Sequence, residues 1–391
     1  MDGPVSRTAE RPVVSIVYRH VPQYRREFYE LLRTDLDARG IGLELVHGQP
    51  VGEDAVKGDA IRLPWATEIR NRCLDVAGKQ LVWQPVWQHV RHADLVVVEQ
   101  ASKLPLNYLL LAAQRLGGPR VALWGHGVNL QADGRLLTRT AEAVKRRATM
   151  AAHWFFAYTE GVASRIRDLG FPAGHITVVQ NALDTRALRR AYLDVAEADV
   201  AALRRRHGIT GSRVGLYLGS LYTRKRLGFL LESALSVRDA LGDFELIVAG
   251  TGPDAGLVRR AADRHPWIHA VGPVFGAEKA AFGRLADVML MPGLVGLAVL
   301  DSFALETPLL TTAVPYHSPE IEYLQDGVNG VVLPAEASSR AYGTAVATVL
   351  RDRGRLAVLR AGCRDGAARY TVAEMSARCA DGVGRALRHA R

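Results

Sequence analysis

DVMLMPGLVGLAVLDSFALETPLLTTAVPYHSPEIEYLQDGVNG, residues 287–330, opens with a short apolar run, Val288-Met289-Leu290-Met291, that Pro292-Gly293 stops. A loop bracketed by Gly293 and Gly296 follows, then an amphipathic run carrying the acid Asp301. The order is strand, loop, helix. A glycine loop that opens a helix presents backbone N–H groups and the positive end of the helix dipole to an anion, typically a phosphate. Asp301, a little over one turn inside that helix, is placed to accept hydrogen bonds from hydroxyls on the phosphate's carrier, such as a ribose. Together these features predict a nucleoside diphosphate site.

Outward from this stretch, apolar β-rich runs alternate with helical patterns. Residues 13–18 (VVSIVY), 43–46 (LELV), 95–98 (LVVV) and 121–124 (VALW) read as strands, with a helix expected from about 25 to 39 after the first. The pattern restarts with 176–179 (ITVV), a charged helix over 197–207, and strands at 214–219 (VGLYLG), 244–250 (FELIVAG) and 268–272 (IHAVG). Such alternation implies parallel sheets covered on both faces. At 391 residues the chain is too long for one ordinary core. The expected class is α/β, with two Rossmann-like domains over 1–185 and 186–371, as in a cleft-forming enzyme.

Composition narrows the function. Hydrophobic content of 48% with 23% charged residues is globular and excludes a disordered chain. Three cysteines, Cys73, Cys363 and Cys379, lack metal spacing and argue for a reducing compartment. The polar start MDGPVSRTAERP has no apolar segment of a signal peptide, and the longest apolar runs fall well short of the roughly 20 residues that span a bilayer. A cytoplasmic location is expected. The net charge of +10 favours anionic partners. Lys and Arg are scattered without an aromatic-interleaved module or zinc-finger spacing, which sets nucleic acid aside. An anionic membrane face remains open: in 135–147 (RLLTRTAEAVKRR), Leu136, Leu137, Thr140, Ala141 and Val144 form one stripe flanked by cations. The plainer reading is a domain helix with that stripe in the core.

A second basic loop, 219–226 (GSLYTRKR), follows one predicted strand and precedes the helical run 227–234. Alone it reads equally as a solvated turn. Beside the 287–330 stretch it reads as a second phosphate-binding element.

The 287–330 stretch resembles the donor-binding signature of glycosyltransferase family 4, retaining enzymes of GT-B fold. Pro292, Gly296-Leu297, Leu300, Ala304, Thr307-Pro308 and Asp326-Gly327-Val328-Asn329-Gly330 fall in the family's order. The family's paired glutamates fall on Gly293 and Asp301, so one acid is altered and the other is lost. In loop 219–226, after Gly219, the resemblance places the pyrophosphate lysine on Lys225, while the family's arginine position holds Ser220. Arg224 or Arg226 is expected to replace that cation, since a guanidinium fork suits a phosphate. Val274, beyond Gly272, falls where the family contacts the base through backbone atoms. His126, in Trp124-Gly125-His126-Gly127, takes the place of a histidine that meets the donor sugar. On the acceptor side stand His20, where the family often carries a glycine-rich loop, and Glu99 at the end of ADLVVVEQ.

The resemblance thus implies transfer of a sugar from a UDP- or GDP-linked donor to a hydroxyl acceptor with retention of configuration. The catalytic set is His126, Lys225 and Asp301. The donor set is Gly219, Arg224, Lys225, Gly272, Val274, Asp301 and the backbone of Gly293, Leu294, Val295, Gly296 and Leu297. No cofactor or metal is expected, because the clearest Asp-x-Asp pair, Asp35-Leu36-Asp37, lies in a predicted helix where residues two apart face different ways. The resemblance also implies that a helix over 372–391 packs back on the first domain. Rival readings are a catalytically degenerate subunit, from the loss of acid at Gly293, and a sugar-nucleotide epimerase. Three features read as local structure: Thr159 as a helix N-cap, Ser318-Pro319 as a helix start, and Gly250-Thr251-Gly252-Pro253 as a strand-to-helix turn.

Overall fold

A computed structural model describes residues 11–51, 60–76, 79–127 and 136–389; in the helix Leu136–Met150, side chains are described from residue 143 onward. Most of the membrane-contact stripe proposed above therefore lies outside the described residues. The chain divides into two compact units, residues 1–181 with 372–391, and residues 182–371.

The first unit holds a seven-stranded parallel sheet: β1 (Val13–Tyr18), β2 (Gly42–Gly48), β3 (Thr67–Ile69), β4 (Leu95–Glu99), β5 (Arg120–Gly125), β6 (Trp154–Ala157) and β7 (Ile176–Val178), in spatial order β7-β6-β5-β4-β1-β2-β3. Val14, Val96, Phe155 and their neighbours are buried, as strands covered on both faces require. The C-terminal helix Val372–Arg388 belongs to this unit. It buries Val372, Met375, Cys379, Val383 and Ala386, a single face at helical spacing. Gly382 lets it close on the sheet: a Cβ there would come 2.6 Å from the Phe156 ring and 2.5 Å from Thr177 Oγ1.

The second unit holds a six-stranded parallel sheet: β8 (Arg213–Leu218), β9 (Phe244–Ala249), β10 (Ile268–Gly272), β11 (Val288–Leu290), β12 (Leu309–Thr312) and β13 (Gly330–Leu333), in order β10-β9-β8-β11-β12-β13. The chain runs outward from β8 to β10, then returns to lay β11 against the other side of β8. Between β8 and β11 the strand order reverses. In open parallel sheets, ligands bind beyond the carboxyl ends of strands at such a switch point.

Several sequence expectations shift. The run at 176, where the alternating pattern was read as restarting, pairs with Phe155, Phe156 and Ala157 as the edge of the first sheet, inside the first-domain range of 1–185. The four-residue strands β6, β12 and β13 were not anticipated. An antiparallel hairpin, Arg72–Val76 with Lys79–Trp83, also joins the first unit. Thr159 caps its helix, accepting the Val162 N–H at 3.3 Å. Ser318, by contrast, makes no side-chain cap, and Pro319–Tyr323 forms a 3-10 turn. Asp35 is half-buried and accepts the Ser376 hydroxyl, whereas Asp37 pairs on the surface with Arg11 at 2.6 Å. Among the described residues no helix is long and apolar enough to cross a membrane.

Candidate functional site

At the carboxyl ends of the second sheet, three turns are stitched in sequence. The Gly219 N–H donates to the Ala249 carbonyl at 3.0 Å, the Leu221 N–H to Thr251 at 2.8 Å, and the Gly250 N–H to Gly272 at 2.8 Å. Gly250 and Gly252 permit this close approach, since a Cβ on either would meet the backbone of Gly219 or Leu221. The Gly250-Thr251-Gly252-Pro253 turn therefore shapes loop 219–226. Val274, just beyond Gly272, is buried, while the next residue, Phe275, is 77% exposed and presents an aromatic face at this edge.

Loop 219–226 delivers Lys225 to the switch point. Its side chain is buried, lies 5.7 Å from the centre of the Tyr222 ring, and donates from Nζ to the Leu294 carbonyl at 2.6 Å. Burial disfavours the ammonium and lowers its pKa to about 8. Arg226 adopts a left-handed φ of 56°, stacks on Phe229 and donates to Thr312 Oγ1 at 3.0 Å. That engagement ties Arg226 Nη1 to the end of β12. Arg224 instead has an exposed side chain, while its carbonyl accepts the Leu294 N–H at 2.9 Å.

The loop after β11 is gripped on two sides. Gly293 packs on the chain at 224–225: a Cβ would lie 2.5 Å from the Lys225 carbonyl carbon, 2.6 Å from its oxygen, and closer still to the Arg224 oxygen. On the other side the Val295 N–H donates to His317 Nδ1 at 3.0 Å, and the Ser318 N–H to the Val295 carbonyl at 2.9 Å. The N–H groups of Leu294 and Val295 are thus already committed. Of the expected cradle over Gly293 to Leu297, the N–H groups of Gly293, Gly296 and Leu297 have no partner among the described residues, and the last two adjoin the helix start. The helix beyond, Ala298–Ala304, has only seven residues, so these N–H groups and the cations carry the anion reading better than a long helix dipole would.

Asp301 is held by Lys279, Nζ to Oδ1 at 2.7 Å, with both side chains mostly buried. Sequence reasoning missed Lys279. Its signal was position: one turn into the helix Gly276–Leu285, directly after the Gly272 to Val274 turn.

The first unit gathers its own set at the ends of β1, β4 and β5. Arg19 grips Glu99 with two bonds, Nε to Oε2 at 2.8 Å and Nη2 to Oε1 at 3.1 Å, so Glu99 is an ion-paired carboxylate. His20 is buried. His126 is exposed, with its ring centre 4.4 Å from that of Tyr158, and crowding by protein atoms lowers its pKa, leaving a neutral imidazole at neutral pH. Beneath them lies Arg25, which sequence reading placed at a helix start. It is buried among the Tyr24, Phe28 and Trp124 rings and donates to Asn181 Oδ1 at 2.6 Å.

Residues 212–352 match the family described as glycosyl transferases group 1, and solved GT-B structures align over 95% of the chain. The chain has the GT-B fold and resembles glycosyltransferase family 4. Over 133 residues it is 29% identical to the phosphatidyl-myo-inositol mannosyltransferase of Mycobacterium leprae (strain TN), covering 33% of this chain and 34% of that protein. The match thus spans about a third of the relative's length. Anabaena HepE in complex with UDP aligns over 95% of this chain and 99% of its own at 13% identity, with a TM-score of 0.68. Sucrose-phosphate synthase from Thermosynechococcus elongatus aligns over 95% and 98% at 14% identity, with a TM-score of 0.67. At such identities the structural likeness is one of fold. Within this GT-B chain, Lys225, Gly293 and Asp301 all lie inside the stretch matched by the family model, whereas His20, Glu99 and His126 lie outside it.

Proposed function

We propose that this chain is a retaining glycosyltransferase that takes a sugar from a UDP- or GDP-linked donor and passes it to a hydroxyl acceptor. The observation that carries the reading is Lys225, a buried ammonium at the switch point of the second sheet. As the glycosidic bond breaks, negative charge grows on the β-phosphate. Lys225 Nζ, the Arg224 guanidinium and the Gly296 and Leu297 N–H groups would stabilise that charge, and such preorganised donors act without reorganising during the step. Asp301, steadied by Lys279, would accept ribose hydroxyls through its other oxygen. His126 would serve the sugar as a neutral hydrogen-bond partner. Retention would follow from attack on the face the phosphate leaves, with the departing phosphate oxygen taking the acceptor proton. The acceptor is a glycan, a lipid-linked glycan or a small natural product.

Two departures from the family, Gly293 and Ser220, favour a second reading, a GT-B subunit that binds nucleotide without turning it over. Product analysis separates the two: transfer with the donor's anomeric configuration supports the first, and nucleotide binding without turnover of any donor supports the second. Because side-chain cations stand at the phosphate, transfer in excess EDTA is expected to stay within a small factor of the rate with magnesium. Complete loss that magnesium restores would contradict the metal-independent reading.

A further inference from the structure

His317 stands on the turn that follows β12 and is buried at 7% exposure. Both ring nitrogens are used. Nδ1 accepts the Val295 N–H at 3.0 Å, and Nε2 faces the Thr312 carbonyl at 2.7 Å, which only an N–H can satisfy. These partners fix a neutral ring protonated on Nε2, since a second proton on Nδ1 would point at the Val295 N–H. Burial and the nearby Lys225 charge both favour that neutral form, against the Thr312 hydrogen bond.

The consequence reaches the loop after β11. The Leu294 peptide is held by residues 224 and 225, through its N–H to the Arg224 carbonyl and its carbonyl to Lys225 Nζ. The Val295 peptide is held by residues 317 and 318, through its N–H to His317 and its carbonyl to the Ser318 N–H. Gly296 comes next and packs so near Ser318 that a Cβ would lie 3.1 Å from the hydroxyl. Two adjacent residues clamped from opposite sides at both their N–H and C=O groups set the direction of the following N–H groups, those of Gly296 and Leu297.

We propose that His317 is a positioning residue for the diphosphate: it clamps the Val295 peptide and so aims the Gly296 and Leu297 N–H groups and holds the carbonyl that seats Lys225. The proposal rests on the donor-site reading above. It also explains how a loop lacking the acid at Gly293 keeps a fixed shape, because backbone bonds to His317 and Lys225 stand where a side chain would otherwise organise the loop.

The test uses His317→Ala and His317→Asn in the full chain, the asparagine oxygen being able to accept the Val295 N–H. Amide hydrogen exchange over residues 291–299 is read without ligand, and UDP and GDP binding are read by calorimetry. For His317→Ala, exchange of that segment is expected to rise about tenfold or more, the scale of one lost buried hydrogen bond, with β8 and β9 unchanged. Affinity for the nucleotide that wild type binds should fall by about tenfold, and His317→Asn should recover most of both losses. Wild-type exchange and affinity in His317→Ala would overturn the proposal. Uniformly faster exchange, in β8 and β9 as well, would also overturn it, by showing a general core role. Loosened exchange in a protein whose wild type binds neither nucleotide would overturn the donor reading while upholding the clamp.

Discussion

Lys225→Ala is expected to lower turnover by about a hundredfold or more, the roughly 3 kcal/mol lost when one preorganised donor to a developing oxyanion is removed. The mutation also leaves the Leu294 carbonyl without its ammonium partner, which adds a stability cost of about 1–3 kcal/mol. Thermal unfolding of the mutant therefore has to accompany the kinetics, so that lost chemistry is told from lost fold. A pH signature belongs to the same residue. Burial lowers the Lys225 pKa to about 8 in the free protein, and a bound diphosphate would raise it by favouring the charged form. Donor binding above pH 8 therefore takes up a proton. Affinity should be level below pH 8 and weaken as pH rises beyond it, by up to about tenfold per unit. In Lys225→Ala that slope should vanish. Near-wild-type turnover in the mutant would reduce Lys225 to a structural bond on the Leu294 carbonyl.

Gly293→Glu should impair activity instead of restoring a missing acid. A side chain at this position begins within 2.6 Å of the Lys225 carbonyl oxygen, and a backbone cannot rotate aside as a side-chain tip can. Even Gly293→Ala is expected to force loop 219–226 away from the loop after β11, at about 1–3 kcal/mol of overpacking. That displacement would pull Lys225 from Leu294, so the activity loss in both mutants should be at least about tenfold. Assays of both variants against a set of hexose donors check this. A gain of activity with an ordinary hexose donor in Gly293→Glu would show that the glycine is a simple defect and that the close packing yields.

The fold was readable wherever apolar runs were long and bounded. β1, β8, β9 and β10 fall on runs such as VVSIVY and FELIVA, and the helix Glu197–His207 follows its charge pattern. The short strands β6, β12 and β13 were not anticipated. At the site, Lys225 and Asp301 were legible because their spacing to the surrounding glycines and prolines carries the family's order. Their partners were not. Lys279 on Asp301, His317 on Val295 and Arg25 beneath Trp124 depend on which loops the sheet order brings together, and only Lys279 left a local signal, its place just after the Gly272 to Val274 turn.

The central claim is that the second unit holds a nucleoside diphosphate sugar whose bond this protein breaks and transfers. The most direct measurement is release of nucleoside diphosphate from a panel of UDP- and GDP-sugars, with and without hydroxyl acceptors, in wild type and Lys225→Ala side by side. The account predicts acceptor-stimulated release from at least one donor and its loss, by about a hundredfold or more, in the mutant. No release from any donor by wild-type protein, together with no measurable binding of UDP or GDP, would contradict it.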